Sequence, residues 1–335
     1  MSKKSKRKNN LKLSILLLLL LLMVLIASTY AWFTANQTVT VEAVNVHIEA
    51  QNGLQISTDA TTWKSKIDND DIKTGAYTGN TNQLPTDVEP VSTVGEIDTA
   101  TGFMKMFYGT VEADENDGID KLTAVQETDA QGTTGKYVAF DMFLRVNKET
   151  KLKMTNGSKV VKTDASTDNG IKQASRVAFC VEGNTPTGTD LTTITGLKGA
   201  TSFLDPASTV YIWEPNPNLH TSAAVAHARD NYGITTTTGG AASDIVDYYG
   251  IKTPIDTGIA LKDTYKEDGN FAKVTPTYKT VSNENGEMAE TEIFTLAAGI
   301  TKVRVYMWVE GQDVDCENTA SGTDIAFNLQ LQVAD

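Results

Sequence analysis

Three histidines, two cysteines and two clusters of acids are the residues of this chain whose types could do chemistry. A catalytic zinc needs ligands at a set spacing, such as His-Glu-x-x-His on one helix face. No such string occurs. His47 falls at an outward-facing position of a candidate strand, and His220 and His227 flank a short alanine-containing segment, so exposed or hydrogen-bonded imidazoles are expected. No Gly-x-Ser-x-Gly elbow marks a nucleophilic serine. Cys180 lies in an apolar run, which suits a buried inert thiol or half of a bridge better than a nucleophile. With Cys316 it permits one disulfide in an oxidising exterior.

Calcium prefers several hard oxygens gathered by one loop. Two clusters offer them: Asp313, Asp315 and Glu317, and Asp114, Asn116, Asp117 and Asp120. The first lacks the glycine of a twelve-residue calcium loop and the second lacks its distal glutamate. A solvated acidic loop is therefore the plain expectation for each, no cofactor is expected, and Asp313, Asp315 and Glu317 stand as the calcium candidates. Trp213, followed by Glu214, Pro215, Asn216 and Pro217, could present a platform for sugar or pack against its own proline turn.

The elements that must position these groups are mainly strands. Val138, Phe140, Met142, Leu144 and Val146 alternate with Ala139, Asp141, Phe143 and Arg145. The same period of two runs through Val303–Val309 and, at the end of the chain, through Ile325–Val333. Each run has one face for a core and one for water or a second layer. Near the other end, Val39 and Val41 alternate with Thr40 and Glu42, the phase slips at Ala43 and Val44, and the pattern resumes through Val46 and Ile48. That slip predicts a bulge or a crossing between sheets. Asn52-Gly53 predicts a tight hairpin turn, with Leu54 and Ile56 starting the return strand.

Polar stretches at 78–90, 128–135, 163–170, 184–200 and 235–243 read as long surface loops. One short helix is expected over about 221–230. The expected fold class is all-β, a jelly roll or sandwich of two packed sheets with long loops and insertions around 184–243. Arg176, Val177, Val181, Glu182 and Gly183 also match Arg304, Val305, Val309, Glu310 and Gly311 in spacing. Two strands with the same Val-Glu-Gly ending account for that echo without a duplication.

Residues 1–31 are of another kind. Lys3, Lys4, Lys6, Arg7, Lys8 and Lys12 precede an apolar run from Ile15 to Ala27, with no acid among them. This is the pattern of a secretory signal. Thr29 and Ala31 offer small side chains at the −3 and −1 positions, so cleavage before Trp32 is predicted. Left uncut, Leu13 to Ala31 is 19 residues, close to the roughly 20 that span a bilayer. The segment would then be an anchor with its basic end in the cytoplasm. Either way residues 32–335 form one extracellular module, secreted or held at the cell surface, that meets a membrane only through its N-terminal segment.

The net charge is −13, from 29 basic and 42 acidic residues. Six of the basic residues lie in the leader, leaving 23 against 42, or −19, for the remainder. So acidic a module is not expected to bind nucleic acid or an anionic surface. The strand that ends at Val333 is followed by no sorting motif or apolar tail, so covalent wall anchoring is not expected.

The stretch Thr29-Tyr30-Ala31-Trp32-Phe33-Thr34-Ala35-Asn36 resembles the junction of the TasA and camelysin family, whose precursors are cut by a SipW-type signal peptidase before an aromatic mature start. The resemblance covers about a twentieth of the chain. It implies a jelly-roll fold and a place among extracellular matrix fibres of Gram-positive biofilms, in which the N-terminal strand of one subunit completes a sheet of its neighbour. Carried onto this sequence, the donor strand would be residues 32–48, presenting Phe33, Val39, Val41, Val44, Val46 and Ile48. An extended segment can add to an open sheet edge in this way. The family's link to metalloprotease activity is not carried over, because the zinc motif is missing. The resulting expectation is a non-enzymatic surface or biofilm-matrix protein whose partners are the peptidase and then itself or other matrix proteins. An adhesin for glycan or host protein through the 184–243 loops is the alternative, and a metallohydrolase the second.

Overall fold

A computed structural model of the chain describes residues 44–75, 77–114, 118–162, 170–215, 217, 219–234, 247–280, 290–316 and 324–334. The expected leader with its expected cleavage residues Thr29, Ala31 and Trp32, the positions Phe33, Val39 and Val41, and Glu317 lie outside them. The described residues are 48% strand and 9% helix, mostly β in several sheets with no barrel among them.

Two six-stranded sheets carry the fold. One runs in the order Thr291–Leu296, Thr150–Met154, Ile325–Val333, Val44–Gln51 and Lys66–Asp68, with Lys159–Lys162 also on Ile325–Val333. The other runs Tyr278–Thr280, Val210–Pro215, Ser175–Thr185, Gly299–Val309, Val138–Val146 and Gln55–Ser57. The alternation seen in the sequence explains their inner faces. Val138, Phe140, Met142, Leu144, Val303, Val305 and Met307 from one sheet join Val46, Ile48, Phe327, Leu329 and Leu331 from the other in one apolar cluster. Each large side chain so buried contributes about 1.5–3 kcal/mol.

Every residue of Gly299–Val309 is buried, so its second face is covered too. Tyr306, Trp308, Ala178, Cys180, Ile212 and Tyr137 on that outer face pack against Val91, Val94, Met104, Met106, Tyr248 and Val274. These come from three smaller sheets and from loops. The stretch 78–90, expected as a surface loop, is part of this cover. Gln83 exchanges two backbone hydrogen bonds with Ala139, its Nε2 donates to the Tyr137 carbonyl at 2.6 Å and its Oε1 accepts from the Ala130 amide at 2.6 Å. A polar loop can be buried when its amides are paired in this way.

Two further expectations are corrected. Asn52 and Gly53 do form a tight turn, both at positive φ, and the Leu54 amide donates back to the Gln51 carbonyl. The turn makes no hairpin, however. Gln55–Ser57 pairs with Val138–Val146 in the second sheet, so the turn hands the chain from one sheet to the other. In place of one short helix the described residues hold three α-helices, Asn69–Thr74, Leu191–Thr195 and Ser222–His227. The last is the expected one, capped by Thr221 and continued by a π-turn over Ala228–Tyr232. The first is closed by a capping box between Asp68 and Asp71, a signal too short and polar to show as periodicity.

Candidate functional site

Two places concentrate function-bearing geometry: the first strand, and the covered outer face of the second sheet. Val44–Gln51 lies inside its sheet, parallel to the last strand, with Val44 opposite Ile325 and Gln51 opposite Gln332. Val44, Val46 and Ile48, three of the expected donor positions, are buried in the sheet of their own chain. On the other flank only His47, Ile48 and Glu49 have strand partners, in Lys66–Asp68. Asn69 completes that edge. Its Oδ1 accepts from the Val46 amide at 2.7 Å and its Nδ2 donates to the Val44 carbonyl at 2.8 Å, so one side-chain amide takes the place of a neighbouring peptide. His47 points outward, half-buried.

The outer face holds charges that alternation alone placed towards water or a second layer. Arg176 and Glu214 are cross-strand neighbours joined at 2.7 Å, and both are buried. Arg176 also pairs with Asp313, donates to the carbonyls of Gln173 and Ser175 and lies over the Tyr248 ring. Asp315 accepts from the Thr221 amide at 2.9 Å and meets His220 at Nδ1. Burial works against a charged imidazole there, but the hydrogen bond and charge of Asp315 more than offset it and raise the His220 pKa above 6.5. Glu310 accepts from Trp308 Nε1 at 3.0 Å. Burial pushes its pKa up to about 7, against the hydrogen bonds that favour its charge.

These contacts correct the reading of the 313–317 segment as a solvated acidic loop. Asp313 and Asp315 are both buried, and their oxygens are engaged by Arg176 and His220, cations that a calcium ion would have to displace. Among the described residues no group of three His, Cys, Asp or Glu converges on a metal position. In the other cluster Asp114 pairs with Lys121. Cys180 and Cys316 are not bonded to each other. Cys180 belongs to the outer apolar cluster and Cys316 to the inner one, so the sheet separates them. Trp213 is buried against the inner core rather than displayed as a platform.

The buried ionic layer had one signal in the sequence. Tyr306 and Trp308 share their face with Arg304, and bulky aromatics on a supposed water face indicate that the face is covered. The Arg–Val…Val–Glu–Gly echo falls on antiparallel neighbours, with Arg176 opposite Trp308 and Cys180 opposite Arg304. No family model, no curated protein and no solved structure matches the chain. Among the described residues no helix is long and apolar enough to cross a membrane.

Proposed function

We propose that the chain is an exported, non-enzymatic surface or matrix protein that assembles through the segment preceding Val44, with the two main sheets packed as a jelly-roll type sandwich over residues 32–335. The observation that carries this reading is the register of the first strand. Its described part starts at Val44, beside Ile325, the first residue of the last strand, so residues 44–51 are held in a sheet of their own chain. The proposed donor is therefore shorter than residues 32–48. Val44, Val46 and Ile48 anchor it, and Phe33, Val39 and Val41 are left to pair with another copy. At the opposite end of the same sheets a cleft of about 270 Å³ is lined by Val146, Asn147, Lys148, Thr150 and Val333. An exit at one end and a cleft at the other suit head-to-tail addition, which generates open filaments.

The test compares the full exported chain with a form lacking residues 32–43. Filaments from the first and folded monomers from the second are expected by electron microscopy and light scattering. Monomers from the intact form, or filaments from the truncated one, would overturn the proposal. Sequencing the N-terminus of protein recovered from cells tests cleavage before Trp32.

One observation favours the adhesin alternative. Leu191, Leu204 and Leu219, three of the large apolar side chains exposed among the described residues, lie in the connections on either side of the Val210–Pro215 strand. Exposed apolar groups on connections that join into one patch would mark a binding surface. Glycan and host-protein binding that disappears when 184–204 is replaced by a short linker would favour this reading.

A further inference from the structure

Asp141 and Lys302 lie on adjacent antiparallel strands of the second sheet. Arg304 is the direct register partner of Asp141, and Phe143 that of Lys302. The Lys302 Nζ stands 3.3 Å from Asp141 Oδ2, and both side chains are almost fully buried. Among the described residues the other lysines in these ion pairs keep at least 20% of the side chain exposed, whereas this one is almost without solvent and aimed at a carboxylate. Phe143, the register partner of Lys302, and Tyr77, which contacts Asp141, belong to or pack on an apolar cluster with Ala60, Ile194 and Ile300.

The other contacts of the two groups sort the atoms by role. Nζ donates to the carbonyls of Thr195 at 2.7 Å and Leu197 at 3.2 Å. Two donated hydrogens leave the third direction of the nitrogen, a lone pair in the neutral amine, facing Asp141. Asp141 Oδ1 accepts from Arg304 Nη1 at 2.9 Å, while Oδ2 is the oxygen that Tyr77 Oη contacts. On the far side of Lys302, its register partner Gly183 follows Glu182 at a break in the strand register. Glu182 is buried and accepts from the Ala200 amide at 3.1 Å.

We propose that Lys302 and Asp141 condense into an intramolecular amide that cross-links the Gly299–Val309 and Val138–Val146 strands. The bond formed is Nζ–Cγ and the bond broken is Cγ–Oδ2. Of the three ammonium protons, one stays on the amide nitrogen and two leave with Oδ2 as water, so atoms and charge balance without an oxidant or a second reactant. Oδ1 is retained as the amide oxygen. The Arg304 guanidinium beside it is placed to stabilise the negative charge that this oxygen carries when Cγ becomes tetrahedral.

Before reaction, burial acts to raise the Asp141 carboxyl, but Arg304 and Lys302 outweigh it and keep the group below its ordinary value. The starting state is thus an ion pair, so the reaction has to carry two protons from nitrogen to Oδ2, one to free the lone pair for attack and one to complete the leaving water. Glu182, buried in the strand on the other side of Lys302 and next to its register partner Gly183, is the acid assigned to carry them. Burial, only partly countered by the Ala200 amide and Lys302, brings its pKa to about 7, where it can both give and take a proton. The product removes one positive and one negative charge together, leaving Arg304 balanced by Asp129 at 2.6 Å.

Intact mass spectrometry of the whole folded chain, after its N-terminal residue has been read, tests the proposal. The expected mass is one water below that of the sequence, and digestion should release one branched peptide joining the segments of Asp141 and Lys302. Lys302→Met and Glu182→Gln should both keep the full mass while retaining native near-ultraviolet circular dichroism. A natively folded wild-type chain of full mass after prolonged incubation at neutral pH, or a water lost at any other pair, overturns the cross-link. Water loss undiminished in Glu182→Gln overturns the role of that residue. If Lys302→Met does not fold, the wild-type mass and the branched peptide decide alone.

Discussion

Arg176 and Arg304 are related by an approximate local two-fold axis that passes between Ala178 and Tyr306 in adjacent antiparallel strands. The register makes this plain: Arg176 faces Trp308 while Cys180 faces Arg304. On the outer flanks Arg176 has Glu214 as its cross-strand acid, and Arg304 has Asp141. Each arginine takes a second acid from the covering loops, Asp313 in one case and Asp129 in the other. Glu310 and Glu182, the acids of the two Val-Glu-Gly endings, sit at opposite ends of the pair. The sequence echo therefore has a physical basis in one arrangement of charge used twice on one buried face.

Arg176→Met should lower the free energy of unfolding by about 3–5 kcal/mol, because it leaves Glu214 and Asp313 buried without their cation. Urea unfolding monitored by tryptophan fluorescence measures it. Lys151→Met, which removes the exposed pair with Glu292, should leave the same curve unchanged.

Stability should fall as the pH rises from about 4.5 to 7. Glu182 and Glu310 have folded values raised from 4.5 to about 7, so the folded state binds more protons in this window. Their contribution is fully present below 4.5 and is lost as the pH passes 7, on the order of 2–3 kcal/mol for each group. His220, also raised, acts in the same direction from about 6.5 upward. Asp59 works the other way at acid pH. Its burial is outweighed by the Thr62 and Thr61 amides, which hold it at about 2, so its contribution is lost as pH falls below 3.8. Chemical denaturation across this range should show a maximum near pH 4–5, and Glu310→Gln should flatten the slope above it.

Asn69→Ala should open the edge of the first strand. Two hydrogen bonds to the Val46 amide and Val44 carbonyl are lost, at a cost of about 1–3 kcal/mol for the groups left unpaired. Hydrogen exchange at the Val46 amide should accelerate beyond the change at Phe327, in the opposite strand. Equal protection of Val46 in both proteins would show that Asn69 does not seal this edge.

Both thiols should resist an aromatic disulfide reagent in the native state and react in denaturant. Cys180 and Cys316 are fully buried, and burial holds the Cys180 thiol well above its ordinary pKa. Dithiothreitol should leave the melting temperature unchanged, whereas a downward shift would reveal a bridge.

The strands were legible from the sequence wherever side chains alternate strictly. Val138–Val146, Val303–Val309 and Ile325–Val333 follow from period two alone, because the pleat sends successive residues to opposite faces. The Thr221-capped helix and the Asn52-Gly53 turn were legible as well, since both depend on local backbone chemistry. The export signal expected at 1–31, with its cleavage before Trp32, rests on the sequence alone. What tertiary structure alone decided is what each face meets. Alternation shows that Asp141, Lys302 and Arg304 oppose the core, but not that a cover of loops and small sheets lies over them. It also leaves open which sheet receives the strand after Asn52-Gly53. Local geometry sets a turn, whereas pairing across distant positions depends on which edges the rest of the chain leaves free.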